Sequence, residues 1–291
     1  MACKAAGGTG AVRFLDGRLR QPGRGITRPL RSDAGRQALP SLVSVPGSIS
    51  AFSVAVALHA RKTMIQIAAQ GIAVAKSSDA KQRARILSRA AQAGTLVLVD
   101  KGLADAIERA APRIDGRLLT AEDLAEVAIT SSPGITLDLG DSRQAILPSW
   151  CTPDADGNPG KGTCAPSRAS EVILVSDGRG VHAGVVVEQM DGLKIYDDEL
   201  EMPMLAQPIL RGVPKLAAGT PLESPLAIAL LTEANRPMGV TAARTPAQLS
   251  FDALTKAAAS VHARDAWIQG ENGFEPSSSL GSGDDRLLVV G

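Results

Sequence analysis

Few side chains in this chain of 291 residues have the types and spacing that chemistry requires. His59, His182 and His262 are far apart. No two stand at i and i+4, the spacing by which one helix face offers two imidazoles to zinc. Asp197, Asp198, Glu199 and Glu201 form the densest acidic run. Such a run either ligates a hard cation or is a solvated strand end. Asp154, Asp156 and Asn158 around Gly157 resemble half of a calcium loop, but Ala165 stands where the loop needs its bidentate Glu. Gly7-Gly8-Thr9-Gly10 lacks the Lys-Ser/Thr of a phosphate-binding loop. The expectation is therefore no metal and no cofactor. Cys3, Cys151 and Cys164 are too few for a disulfide framework. Cys151 and Cys164 either bridge across their loop in an oxidising compartment or stand as two unrelated thiols.

Charge and composition narrow the partners. Lys and Arg total 31 and Asp and Glu 30, a net charge of +1. A chain balanced in this way has no overall electrostatic footprint for nucleic acid or an anionic membrane. Aromatics are 2%, too few for base-stacking platforms. Hydrophobic residues at 44% supply a sizeable core, filled by Ala, Val, Leu and Ile. No apolar run reaches the roughly 18 residues of a membrane span. The first residues lack the apolar core of a signal peptide, so the chain as written is expected in the cytoplasm.

The elements that must position any site divide at mid-chain. Asp16-Gly17 reads as a hairpin turn closing a strand over 11–15. Apolar spacing gives helices over 48–60, with Ser48 as cap, over 64–75, over 81–93 ended by Gly94, and over 103–111. Thr120 followed by Glu122 and Asp123 marks another helix start. Period-two alternation begins at Ile135, with a return over 144–147. Residues 148–168 are a Pro- and Gly-rich linker or processing loop. Strands follow over 172–176 and 181–187 as a hairpin, then over 193–196, 226–231 and 240–241, before a helix over 250–263 and a Ser/Gly-rich tail over 277–283. One domain over 1–291 is expected, with a helix-rich half (1–148), a loop (149–169) and a β-hairpin half (170–291). Helices over a β-sheet core bury these faces.

Several local patterns then fall in one order that resembles the γ-glutamyltransferase family of N-terminal-nucleophile hydrolases. Asp16-Gly17-Arg18-Leu19-Arg20-Gln21-Pro22 is similar to the family's Asp-aromatic-Arg-Glu-x-Ala-Pro motif. Val45-Pro46-Gly47 matches the Val-Pro-Gly that starts a helix, and Ala68-Ala69-Gln70-Gly71-Ile72 a later helix step. Leu118-Leu119-Thr120-Ala121-Glu122-Asp123-Leu124 resembles a Leu-Thr-x-Glu-Asp-Leu helix start. The hairpin over 172–187, the run from Gly192 to Pro203 and Pro221-Leu222-Glu223-Ser224 follow in the family's order. The match touches most of residues 7–245.

The resemblance implies an α+β chain, a four-layer αββα sandwich in trimmed form, that cuts itself and uses the exposed hydroxyl to attack a γ-glutamyl amide. Self-cleavage would leave a heterodimer of fragments. Arg18 falls at the carboxylate-binding position, with Glu199, Glu201 and Ser224 around the substrate and Ala242 and Ala243 in place of the oxyanion-donating glycine pair. Thr163 and Ser170 are the candidate nucleophiles, with Cys164 in the same stretch. Their base would be the new α-amine, whose reference pKa is about 7.7–8.0. The chain departs from the family where chemistry is densest. Counted without gaps, the nucleophile register holds Ala169; the first Ser of the later motif is Glu223; and Met202 takes an acidic position. The expected partner is a small amide substrate, and the family's members are often exported. The competing expectation is a non-catalytic descendant that keeps the fold for binding or assembly. A poorly folding remnant is the third.

Overall fold

The computed structural model describes residues 2–5, 12–24, 45, 47–94, 96, 120–151, 169–176, 182–189, 194–197, 202–205, 217–222, 227–243, 249–261, 266–270, 273–276 and 288–290. The chain is mixed α and β. It forms two compact units: Met1–Asp16, Thr130–Gln189 and Glu223–Gly291 in the first, and Gly17–Ile129 with Met190–Leu222 in the second.

The first unit is built on two antiparallel sheets. One has the order β3-β2-β1-β7-β6, from Thr130–Ser132 (β3), Arg13–Asp16 (β2), Ala2–Ala5 (β1), His182–Gln189 (β7) and Ala169–Ser176 (β6). The other has the order β13-β12-β14-β11-β10-β5-β4. Its strands are Gly273–Pro276 (β13), Ala266–Gly270 (β12), Leu288–Val290 (β14), Arg236–Ala243 (β11), Ala227–Glu233 (β10), Arg143–Leu147 (β5) and Ile135–Gly140 (β4).

Strand β10 shows why two layers form on it. Its run is apolar at every position from Ala227 to Leu231, so both faces need cover. Successive side chains point to opposite faces. Ile228 and Leu230 join Val240, Ala242, Val12 and Phe14 in one buried cluster, with Leu174 of β6 against it. That cluster fills the space between the sheets. Ala229 and Leu231 join Ala145, Leu147 and Leu249 in a second cluster on the opposite face, closed by Leu254, Ala257 and Ala258 of a helix, Phe251–Ser260 (α5). Burying each such Leu or Ile contributes about 1.5–3 kcal/mol relative to exposure. Ser250 caps α5, its hydroxyl accepting from Ala253 N at 3.2 Å.

The second unit holds the helices Ser48–His59 (α1), Met64–Ser77 (α2), Lys81–Ala93 (α3) and Ala121–Ala125 (α4), and the hairpin of Lys194–Asp197 (β8) with Met202–Leu205 (β9). α2 starts on a capping box. Gln66 N donates to Thr63 Oγ1 at 3.3 Å, and Thr63 N to Gln66 Oε1 at 2.9 Å. α3 buries Ala84, Ile86, Ala90 and Ala91 and packs on α2 through the short connection over 78–80. Among the described residues, no helix is long and apolar enough to cross a membrane.

Two local expectations are corrected. Ser48 does not cap α1; Gly47 holds that position without a side-chain bond, and Ser48 is the first helical residue. Asp16-Gly17 does not turn a hairpin. β2 ends at Asp16 and pairs with β1 and β3, neither of which follows it directly. The expected helix over 103–111 and the tail over 277–283 lie outside the described residues.

Between β3 and β4 the chain leaves one sheet and enters the other within two residues, Pro133 and Gly134. Gly134 has φ +88, and a Cβ there would meet the Leu147 carbonyl and the Phe14 ring. Neither the backbone angle nor the space admits a side chain. Gly134→Ala is expected to cost about 2–4 kcal/mol, combining left-handed strain with overpacking. Urea unfolding followed by circular dichroism measures it; a change below about 1 kcal/mol would mean the crossover relaxes freely.

Candidate functional site

The second unit contains a strap of residues 18–24 to which three distant segments are hydrogen-bonded. Arg20 sits at its centre. Its N–H donates to Val45 O at 3.0 Å and its carbonyl accepts from Val45 N at 2.9 Å. Its neighbours bond the other side: Leu222 N donates to Leu19 O at 2.8 Å, Gln21 N to Thr220 O at 2.9 Å, and Gly219 N to Gln21 O at 2.7 Å. Arg20 and Pro221 are bridged across this pairing. Because both polar groups of Arg20 turn toward Val45, the missing N–H of Pro221 leaves no acceptor unsatisfied.

In an extended segment, positions 18 and 20 share a face. Their guanidinium groups reach along the same neighbour. Arg18 Nη1 donates to Leu222 O at 3.4 Å and Arg20 Nη1 to Gly219 O at 3.4 Å. Arg20 is buried, whereas Arg18 is partly exposed. Arg18 and Leu222, 204 positions apart in sequence, thus meet here.

Two glycines make the close approach possible. A Cβ on Gly17 would lie 2.8 Å from Ala51 Cβ of α1, and one on Gly47 would lie 2.8 Å from Arg18 O. Gly17 therefore serves α1 packing rather than a turn. Gly219 is the third, with φ +82 and the Arg24 guanidinium where its Cβ would project. Arg24 is held in turn by Glu126, Nη1 to Oε2 at 2.7 Å.

The far end of the strap is tied by Asp123, a buried carboxylate at the start of α4. Its Oδ2 accepts from Gly23 N at 2.8 Å and Thr120 N at 3.1 Å, and its Oδ1 from Arg24 N at 3.0 Å. Thr120 Oγ1 accepts from Asp123 N at 3.2 Å, which completes a capping box. One side chain thus caps a helix and fixes a loop 100 residues away in sequence. Sequence reasoning found Asp123 only as a helix-start acid. The Thr120-x-x-Asp123 spacing was the available signal, and it carries no word of the distant amides.

The other expected site residues are placed as follows. Ser170 is the second residue of β6 and stands opposite Glu188 of β7. Ala242 lies inside β11 between Ile228 and Leu288, its side chain buried in the core between the sheets; Ala243 ends that strand opposite Ala227. Thr163, Glu199, Glu201, Ser224, Glu223 and Cys164 lie outside the described residues. Cys151 is buried in the cluster under α5. Among the described residues, no three His, Cys, Asp or Glu side chains are grouped to hold a metal ion.

No family model matches the chain, and no curated protein matches it.

Asp123→Ala would strip the acceptor from three backbone N–H groups, each costing about 1–3 kcal/mol when left unmet in a dry site. One of the three bonds is buried and two are partly buried, so the expected loss is about 1–3 kcal/mol of stability, read from the urea midpoint, with faster amide hydrogen exchange at Gly23 and Arg24. Wild-type exchange at those two amides in the variant would show that the carboxylate does not hold the strap.

Proposed function

We propose that the chain is a divergent γ-glutamyltransferase-like amide hydrolase or acyl transferase, built as a trimmed four-layer αββα sandwich. The observation that carries this reading is the strap. Segments matched to the family only by order in the sequence, around Val45, Thr120 and Pro221, are hydrogen-bonded to the one short stretch of chain that carries Arg18. Two facing antiparallel sheets with a helix over one of them support the fold side of the reading.

In this reading the chain is cut within 163–170, and Thr163 or Ser170 becomes the first residue of the new fragment. The freed α-amine takes the hydroxyl proton, and the oxygen attacks the amide carbonyl. The C–N bond breaks, the amine leaves with that proton, and water or an acceptor amine releases the acyl group. Arg18 binds the substrate carboxylate, and a guanidinium suits a carboxylate because two parallel N–H donors match two oxygens. Glu199, Glu201 and Ser224 are assigned to the substrate's other polar groups, and the amides of Ala242 and Ala243 to the oxyanion.

A second reading has its own support. β6 opens on Ala169, the residue in the ungapped nucleophile register, and an alanine cannot attack. A non-catalytic protein that keeps the strap to bind a carboxylate ligand fits that observation.

Intact mass after purification separates the readings. The enzyme gives two fragments of about 17 and about 13 kDa in place of 30.0 kDa, with the new terminus naming the nucleophile. Arg18→Ala is then expected to lower kcat/KM for a γ-glutamyl anilide by about 10–100-fold, the worth of a charged hydrogen bond, and Arg18→Lys to restore little. An uncut chain without turnover removes the enzyme reading. Glu223 is a further lever, because a carboxylate beside Leu222 in sequence opposes an anionic substrate. Glu223→Ser is expected to lower KM by about tenfold at low salt; an unchanged KM would separate that residue from the site.

A further inference from the structure

The two sheets of the first unit end on four edge strands, β3 and β6 in one and β13 and β4 in the other. An edge offers unpaired amides and carbonyls to any other strand, and proteins blunt it with brevity, proline, charge or a bulge. Three of the four are blunted. β3 has three residues and is followed by Pro133. β13 has four, Glu275 and Pro276 among them. β4 carries the exposed Asp138 and shifts register between Asp138 and Gly140. β6 lacks these devices apart from Glu171 near its start. It runs eight residues, Ala169–Ser176, without Pro or Lys, and pairs with β7 without a register shift. Among the described residues, no strand pairs with its other edge.

The two faces of β6 both bear on this edge. Leu174 packs on the cluster between the sheets but is only partly buried, so the core is not closed there. Ile173 and Val175, one residue to either side, point to the opposite face. They are 58% and 54% accessible. Their neighbours across the ladder on β7, Val185 and Ala183, are partly exposed, so four apolar residues stand together. The sequence of β6 fits a second copy of itself. A two-fold axis normal to the sheet runs the two strands antiparallel and keeps each face continuous where odd-numbered residues meet odd-numbered ones. With Ile173 on the axis, Ser170 meets Ser176, Glu171 meets Val175 and Val172 meets Leu174, so positions 170–176 of each strand pair. The two Glu171 positions then stand four residues apart, about 14 Å. An axis on Val172 halves that separation. An axis on Leu174 sets Glu171 against the partner's Asp177, like charge against like charge.

We propose that two copies of this chain associate through β6, antiparallel about a two-fold axis at Ile173, which joins two five-stranded sheets into one continuous sheet. The main-chain groups of the free edge supply the hydrogen bonds. Ile173 and Val175 of both copies meet on one face, and Leu174 gains cover on the other. The contact does not depend on the amidase reading.

Light scattering of the full-length protein across about 1–200 µM tests it. The native mass is expected to rise from 30.0 kDa toward about 60 kDa. Amide hydrogen exchange over 169–176 should slow severalfold at the high concentration, with exchange over β4 unchanged. Ile173→Lys opposes two like charges on the axis and removes the central apolar contact, so it should weaken the dimer at least about tenfold. Val175→Lys sets a cation opposite the partner's Glu171 and should leave the affinity within about threefold. Both side chains are more than half exposed, and circular dichroism checks that each variant is folded. The mass and exchange of the wild-type protein stand as a test even where a variant unfolds. A mass of 30.0 kDa at every concentration would overturn the proposal. So would a dimer whose β6 amides exchange as fast as the monomer's, a folded Ile173→Lys variant that dimerises like the wild type, or a folded Val175→Lys variant weakened as much as Ile173→Lys.

Discussion

The second unit depends on one arrangement of backbone polar groups, the strap over 18–24. A chain crossing the interior must find a partner for every amide and carbonyl it buries. Here Val45 takes one side of Arg20, residues 219–222 take the flanking positions, and the Asp123 carboxylate takes the two amides at Gly23 and Arg24. The bonds are short, between 2.7 and 3.0 Å, whereas the two guanidinium contacts are both 3.4 Å. Geometry therefore places the holding force of the strap in the main chain.

The first unit rests on another constraint, the double burial of β10. A strand apolar on both faces forces a layer on each, and α5 and the β6–β7 hairpin answer it from opposite sides. Gly184 of β7 marks how close the sheets come, since a Cβ there would collide with Ile228 and crowd Leu174 and Val240. Packing at that distance resembles an organic crystal more than a liquid, and small changes in volume are felt directly.

Elements whose information is local were legible in the sequence. α3 runs over Lys81–Ala93 and is ended by Gly94, because one amphipathic stripe and one C-terminal glycine suffice to specify it. Thr120 starts α4 through the side-chain bonds its spacing implied. β6 and β7 pair along their full length. What escaped was non-local. β1, β3, β9, β12, β13 and β14 have three to five residues each, too short for alternation to register. Gly17 read as a turn because Asp-Gly is a turn signal, yet its function is to admit Ala51. At the candidate site Arg18 was reached through resemblance and Asp123 through capping. The bonds joining them to 219–222 and 23–24 had no trace in either.

A scaffold held by main-chain bonds and glycines tolerates drift in the side chains around it. Gly17, Gly47 and Gly219 are fixed by contacts that a Cβ would violate, and Pro221 occupies a position where no donor is required. Nothing in those constraints depends on the identity of residues 223 or 169. The backbone bonds that carry Arg18 therefore place no demand on the side chains at positions 223 and 169. The positions that must stay for the chain to fold are those where segments cross, because every backbone amide and carbonyl buried there needs its partner.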